Sequence, residues 1–270
     1  MNCPLEEIYL EVYLINLQDS PERLHKMSSL LQQAELPFTR LQAIDGASLL
    51  NADLQHHVDK SFYKKFYRGK FPGKGTVGCY LSHCKAWQQV VQNNDSVALI
   101  LEDDVFFNPQ EFKNGLKKAL SVSQNWDICS FALRNSGCPI KLKTLNKNQF
   151  LCLYLQEVYC AGAYLINQAA AQALLRHAHP MRMQVDDYYT QIWRWGLRFT
   201  GIEPRLAWHE DDGISEIKKR GGRQNHLRKV PWPVKTFYVL RSGLMRHFYN
   251  SVRLVYNLWQ KTKINLFNRP

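Results

Sequence analysis

The sequence predicts an α/β fold built on a mainly parallel sheet, and three observations carry that prediction. Strand-like and helix-like segments alternate over the first two-thirds of the 270 residues, as crossover connections between parallel strands require. The run VALIL (97–101) is continuously apolar, as a strand buried on both faces must be. It ends in Glu102-Asp103-Asp104, three carboxylates at the strand end where open α/β sheets take their ligands.

IYLEVYLIN (8–16) reads as the first strand. Asp19-Ser20-Pro21-Glu22 then offers a cap, a first-turn proline and a glutamate three residues after Asp19. A helix is expected from there to about Ala34. FTRLQAID (38–45) is a second strand, stopped by Gly46. Residues 47–75 contain FYKKFYRGKFPGKG and read as an irregular, basic-aromatic loop or lid hinged by glycines. VGCYLSHCKAWQQVVQ (77–92) puts Leu81, Trp87, Val90 and Val91 at helical spacing.

After the VALILED strand, EFKNGLKKAL (111–120) reads as a helix and WDICSFAL (126–133) as a strand. AGAYLINQAAAQALLRHA (161–178) passes from strand to helix at Asn167, a capping residue before an alanine-rich run. VDDYYTQIWRWG (185–196) is a short helix opened by Asp186 and Asp187, and LRFTGIEP (197–204) a strand. The sequence contains no internal repeat and no low-complexity stretch.

Composition narrows the class. At 45% hydrophobic the chain can bury a sizeable core, and nothing approaches the ~18 uninterrupted apolar residues of a membrane span. The start, MNCPLEEIYL, lacks the basic stretch and small-residue cleavage site of a secretory signal. The seven cysteines (3, 79, 84, 129, 138, 152, 160) are odd in number and form no CxxC pair. They are expected to be small buried hydrophobes of a reducing compartment, and the protein to be cytoplasmic.

The net charge of +12 is unevenly placed. From Lys218 onward there are 13 Lys/Arg and no Asp or Glu, so residues 1–217 carry 22 basic against 23 acidic groups. A catalytic domain over 1–217 and a basic tail over 218–270 follow, and the tail calls for an anionic partner. Its segment VKTFYVLRSGLMRHFYNSVRLVYNLWQK (234–261) repeats Leu244, Met245, Phe248, Val252, Val255, Tyr256 and Trp259 at three- and four-residue steps. Arg246, Asn250, Arg253, Asn257 and Lys261 line the other side. This is the pattern of an amphipathic helix lying on an anionic membrane surface, peripheral at the inner face. A terminal helix packed on the core, its cations merely solvated, has the same pattern. Nucleic acid is not expected, because the aromatic residues sit on the apolar face instead of interleaving as stacking platforms.

On a strand, alternate side chains share a face, so Glu102 and Asp104 should point one way and Asp103 the other. Two carboxylates on one side make a hard-oxygen site for Mn²⁺ or Mg²⁺, with positions left for water and phosphate oxygens. A solvated strand-to-turn end would also place acids there. Carboxylate-dependent hydrolysis, by a glycosidase or a phosphohydrolase, and a non-enzymatic membrane- or RNA-binding module are the competing functions.

Four blocks carry a resemblance. They are VYLINLQDSPERL (12–24) with AIDG (43–46), GTVGCYLSHCKAW (75–87), LILEDDV (99–105), and AGAYLIN (161–167) with VDDYY (185–189) leading into HEDDGISEI (209–217). In this order they resemble glycosyltransferase family 25, the lipooligosaccharide galactosyltransferases and their collagen-modifying relatives. The resemblance implies a GT-A-type, Rossmann-like nucleotide-sugar-binding domain and an inverting transfer from a UDP-sugar, with UDP-galactose the expected donor. The acceptor implied is a lipid-linked oligosaccharide. It also implies that Asp104 takes the metal, with Glu102 or Asp103 on the metal or the ribose. Asn16, Asp45 and Gly46 would lie by the nucleoside, and Ser82 and His83 near the donor phosphates or sugar. From the residues alone, His83 reads equally as a satisfied histidine against the sheet. Asp186 would be the base, with Asp187 in reserve, although either also suits a helix cap. His209 would be a third metal ligand, while Glu210 and Asp211 read as a solvated turn.

Overall fold

The computed structural model of the chain describes residues 10–209 and 231–267. The expected alternation gives an eight-stranded sheet in which six strands run one way and two the other. Strands β1 (Glu11–Asn16), β2 (Thr39–Gln42) and β3 (Val97–Glu102) form one edge. β1 lies between the other two and parallel to both, with Asn16 opposite Gln42 and Ile15 opposite Glu102. Three carboxyl ends therefore open on one rim.

The alternation along β3 shows why it reads as continuously apolar. Ala98 and Ile100 enter one core layer, with residues of the helices α4 (Lys74–Gln92), α6 (Gln168–Leu175) and α7 (Val185–Tyr189). Val97, Leu99 and Leu101 enter the other, beneath α1 (Pro21–Gln33) and α5 (Pro109–Leu120). A strand covered on both faces has no polar side.

Beyond β3 the sheet continues through β8 (Ala163–Asn167), β5 (Ile128–Ser130), β9 (Phe199–Glu203), β7 (Phe150–Tyr154) and β6 (Pro139–Thr144). β8 and β7 are the two reversed strands. Asn167 caps α6 as expected, its side chain accepting from Ala170 N at 2.8 Å. A separate two-stranded ladder pairs β4 (Val105–Phe107) with β10 (Ala207–His209). The β6–β7 hairpin and this ladder are additions to the sequence reading. Three-residue strands and a strand exposed along its length leave little hydrophobic signal.

Three expectations are corrected. Residues 47–75 are not irregular: they hold helices α2 (Asn51–His57) and α3 (Lys60–Phe66), the latter capped by Asp59 through Phe62 N. Tyr63 and Phe66 are fully buried, so aromatic residues that suggested a lid are core. Ser20, not Asp19, occupies the α1 cap position, with no side-chain bond. The cysteines are not uniformly buried hydrophobes. Cys84, Cys129, Cys152 and Cys160 are buried, but Cys138 is exposed and the half-buried Cys79 faces Glu102.

The C-terminal helix α8 (Trp232–Phe267) forms as the periodicity requires. Its inward side is mixed: Ser242, Arg253, Asn257, Gln260 and Ile264 are buried and Met245, Tyr249 and Tyr256 pack on the core, while Leu244, Phe248, Val255 and Trp259 are exposed. Arg246 donates to both carboxylate oxygens of Glu157 at 2.7 Å, and Asn257 donates to Tyr154 O at 2.7 Å. The helix is thus docked, but by a side that includes residues expected to face solvent. The boundary expected at 217/218 lies outside the described residues, as do Glu210 and Asp211.

Candidate active site

A cleft of about 110 Å³ opens where β1, β2 and β3 end, lined by Ile15, Arg23, Ile44, Gly46, Ser82, His83 and the acidic triplet among others. Gly46, Ser82, His83, Glu102, Asp103 and Asp104 thus come together, although they span almost sixty residues of sequence. Asp45 lies in the adjoining groove with Gln18, Ser48 and Lys85. Its carboxylate accepts from Ala47 N at 2.9 Å and shapes the turn.

The cleft floor depends on close backbone approach. A Cβ at Gly46 would stand 2.1 Å from Lys74 O, so only glycine lets the turn touch the first residues of α4. Ser82 stitches the same contact: its hydroxyl donates to Gly78 O at 2.7 Å and accepts from Ile44 N at 2.8 Å. Ser82 is therefore structural as well as pocket-lining.

β3 ends at Glu102, and Asp103 and Asp104 stand in the turn beyond it. Asp103 turns toward α1, accepting from Asn16 Nδ2 at 2.7 Å and from Arg23 Nη1 at 3.3 Å. Asn16 is itself buried, its Oδ1 receiving Arg40 Nε at 2.9 Å, so it holds the triplet from behind. Burial and the neighbouring Asp104 and Glu102 charges outweigh the help of Asn16 and Arg23, and the Asp103 carboxyl is pushed up to about 6.

Glu102 and Asp104 converge with His209. One ligand atom from each of the three lies within 4.8 Å of the others. His209 reaches Asp104 because β10 pairs with β4, the strand that follows the triplet, placing His209 opposite Val105. Its Nδ1 lies 3.0 Å from Asp104 Oδ1 and its Nε2 lies 2.9 Å from Cys160 Sγ. Gly162 makes the approach possible, since a Cβ there would stand 2.7 Å from His209 Cε1. Burial disfavours the His209 cation, but the bonds to Asp104 and Cys160 and the Glu102 charge prevail and raise its pKa to about 11. Two carboxylates and an imidazole converging so closely suit a divalent cation of the Mn²⁺ or Mg²⁺ class, with coordination positions left over.

His83 is fully buried behind this group. Trp87 Nε1 donates to the Tyr164 hydroxyl, which lies 2.9 Å from His83 Nδ1, and His83 Nε2 lies 3.1 Å from Glu102 Oε1. His83 is satisfied against the sheet and also lines the cleft. Burial works against ionised Glu102, but the hydrogen bond and charge of His83, the His209 charge and Cys79 together hold its carboxyl below the ordinary range.

Asp186 and Asp187 differ sharply. Asp186 is partly exposed, its Oδ1 accepting from Asp187 N at 3.0 Å. Burial first, then the charges of Glu102, Asp186 and Asp104, raise the Cys79 thiol. Asp187 is 3% exposed and turned inward. It accepts from the Tyr67 hydroxyl and lies 3.9 Å from Arg246 Nη1. Burial and the Asp186 and Glu157 charges keep its carboxyl well above the ordinary range.

Arg23, Cys79, Cys160, Gly162 and Tyr164 complete the site without having been singled out by the sequence. Arg23 had a signal, one turn into a helix that leaves the strand end. The cysteines had none, because a thiol beside a carboxylate and one in a core look alike in sequence.

The sequence profile of glycosyltransferase family 25 (LPS biosynthesis protein) matches residues 9–189. Procollagen galactosyltransferase 1-B of Xenopus laevis is 32% identical over 219 residues, 73% of this chain and 35% of that protein. The probable inactive glycosyltransferase 25 family member 3 of Rattus norvegicus is 34% identical over 124 residues, 44% of this chain and 22% of that one. The chain thus spans about a fifth to a third of the length of the curated relatives it matches. A solved glycosyltransferase involved in glycosylation of the major capsid of PBCV-1 superposes with a TM-score of 0.41 at 11% identity, over 78% of this chain and 96% of that one.

Proposed function

The chain belongs to glycosyltransferase family 25, and from that membership we propose that it moves a hexose, with inversion, from a UDP-sugar onto a lipid-linked oligosaccharide. The observation that carries the proposal is the gathering of Glu102, Asp104 and His209 at the mouth of a cleft formed by three parallel strand ends. Membership alone is insufficient, since relatives named inactive match the sequence too. Galactose is the proposed hexose, in keeping with the procollagen galactosyltransferases among the relatives. A bacterial lipooligosaccharide or lipopolysaccharide is the proposed acceptor, in keeping with the family's designation as LPS biosynthesis proteins. The enzyme would work at the cytoplasmic face of the membrane, where such an acceptor is presented.

In this reading Glu102, Asp104 and His209 hold Mn²⁺ or Mg²⁺. When bound, the ion supplies charge neutralisation and Lewis acidity to the leaving diphosphate. The nucleoside lies along the apolar wall of Ile15, Leu17, Ala43 and Ile44, with the Gly46 turn and Asp45 at its rim and Asn16 behind it. Arg23, beside Asp103 and Asp104, adds positive charge toward the phosphates. Ser82 fixes the floor and His83 orients Glu102. Asp186 takes the proton of the attacking hydroxyl, its carboxylate held by the Asp187 amide. Asp187, enclosed against Tyr67 and Arg246, positions α7 and does not reach the acceptor.

The test is a donor screen that follows UDP release from UDP-galactose and UDP-glucose, with and without Mn²⁺ and lipid-linked oligosaccharide acceptors. Acceptor-stimulated, metal-dependent release is expected. Release that ignores the acceptor indicates hydrolysis instead. Full activity after exhaustive chelation, or no thermal shift with UDP plus Mn²⁺, would overturn the proposal.

A further inference from the structure

The exposed apolar surface of this chain is concentrated in one place. Of the fourteen exposed large apolar side chains among the described residues, all but Leu50 and Trp208 belong to α8. Phe237, Leu240, Leu244, Phe248, Val255 and Trp259 recur at three-, four- and seven-residue steps, which keeps them on one side of a helix. Phe248, Val252, Val255, Tyr256 and Trp259 also line a shallow apolar groove on that side. An apolar stripe facing water is the inverse of an ordinary surface helix, and a patch of this extent marks an interaction site.

The inward side is already in use. Arg246 is paired with Glu157, and its guanidinium stacks 4.6 Å from the Phe66 ring centre. Arg253 is buried over Trp193 at 5.0 Å. Two of the cations that could have faced an anionic partner are therefore spent on docking the helix to the domain. Those that remain outside sit at the ends of the stripe: Lys235 and Arg241 at one, Lys263 at the other. No acidic residue occurs from position 218 to the end. From Trp232 to Arg241 no residue is buried, so the first turns stand clear of the domain. At 1.5 Å per residue the helix is about 54 Å long. Among the described residues no helix is long and apolar enough to cross a membrane.

We propose that the outward face of α8 docks the protein onto an anionic lipid bilayer, the helix lying in the membrane plane with its inward face still clamped to the domain. Charge selects this occupant over a second copy of the chain. The helix carries cations and no acidic residue, so two copies brought together along it would repel, whereas acidic lipid headgroups complement its charge. This inference deepens the acceptor proposed above, because a bilayer-bound enzyme meets a lipid-linked acceptor in two dimensions. Its test needs no catalysis, so the two proposals can fail separately.

The test is co-sedimentation of the full chain with vesicles of phosphatidylcholine alone or with one-third phosphatidylglycerol. Binding is expected on the anionic vesicles, weakening with salt. The double substitution Leu244→Ser with Phe248→Ser, both side chains being more than 60% exposed, should reduce it more than about tenfold at unchanged melting temperature. Lys235→Gln with Lys263→Gln should weaken binding several-fold at low salt and hardly at all at high salt. No binding to anionic vesicles, or equal binding by wild type and the serine variant, would overturn the proposal. So would a stable dimer that buries the stripe and competes with vesicles.

Discussion

Asp104 and His209 stand 3.0 Å apart although 105 residues separate them. The antiparallel β4–β10 ladder places His209 opposite Val105, the residue after Asp104. A strand pairing of only three residues thus delivers an imidazole to the acidic corner, and the bare Cα of Gly162 gives it room. If these two side chains and Glu102 hold a cation, removing any of them should cost more than the roughly 10–100-fold typical of outer-shell partners. Asp104→Ala is expected to lower transfer by well over 100-fold with the fold intact. UDP release and circular dichroism check both halves of that statement, and chelation should reduce the wild type to the same level.

Gly162→Ala tests the approach of the histidine without touching a ligand. The added methyl would lie 2.7–2.8 Å from the ring and from Val105, which forces His209 away from Asp104. Apparent Mn²⁺ affinity should fall about tenfold or more, while far-UV dichroism is unchanged. Unaltered Mn²⁺ dependence of the rate would show that His209 is not a ligand.

Asp186 and Asp187 are neighbours with separable roles. Asp186→Asn should lower kcat by about 10²–10⁴-fold, the range for loss of a positioned base, with little change in donor KM. Asp187→Asn should act mainly on stability, through Tyr67 and the Arg246 contact that ties α7 to α8. Steady-state kinetics beside melting curves separate the two, and the reverse assignment would appear as kcat loss in Asp187→Asn alone.

Asp127 joins three elements. It pairs with Arg198 at the start of β9, donating none of its own protons and accepting at 2.8 and 2.9 Å, and it accepts from the α6 cap Asn167 at 3.0 Å. Burial opposes its charge, but the Arg198 bonds dominate and hold its carboxyl below the ordinary range. A depressed carboxyl stabilises the fold above its unfolded pKa of about 3.9 and loses that contribution as pH falls through the native value. Melting temperature should therefore drop below about pH 4, and Asp127→Asn should flatten that acid limb. At neutral pH the substitution should cost about 2 kcal/mol, less than the 3–5 of a fully buried pair, because Arg198 is 27% exposed.

Much of the candidate site was legible in the chain. β3 announced itself because a strand buried on both faces can only be apolar, and the acids at its end could only be tolerated at a rim. The strand period predicts Glu102 and Asp104 on one side and Asp103 on the other; in the structure Glu102 and Asp104 converge on His209, but β3 ends at Glu102 and Arg23 reaches both aspartates in the turn beyond it. Asp45-Gly46 was readable as a turn, though not that Gly46 is required by the backbone of α4. The helical period of α8 was equally plain. Which of its sides meets the domain was not, because Arg246 and Arg253 look solvated until Glu157, Phe66 and Trp193 are seen to receive them.

By itself the sequence determined the period of each long element and the carboxylates at one strand end, since these are local consequences of side-chain spacing and of what a core excludes. Only the tertiary structure decided that His209 meets Asp104, that Asp187 is enclosed while Asp186 is not, and that α8 turns an apolar stripe outward. Each of these rests on contacts between residues far apart in the chain, whose free energy depends on partners that local patterning does not encode.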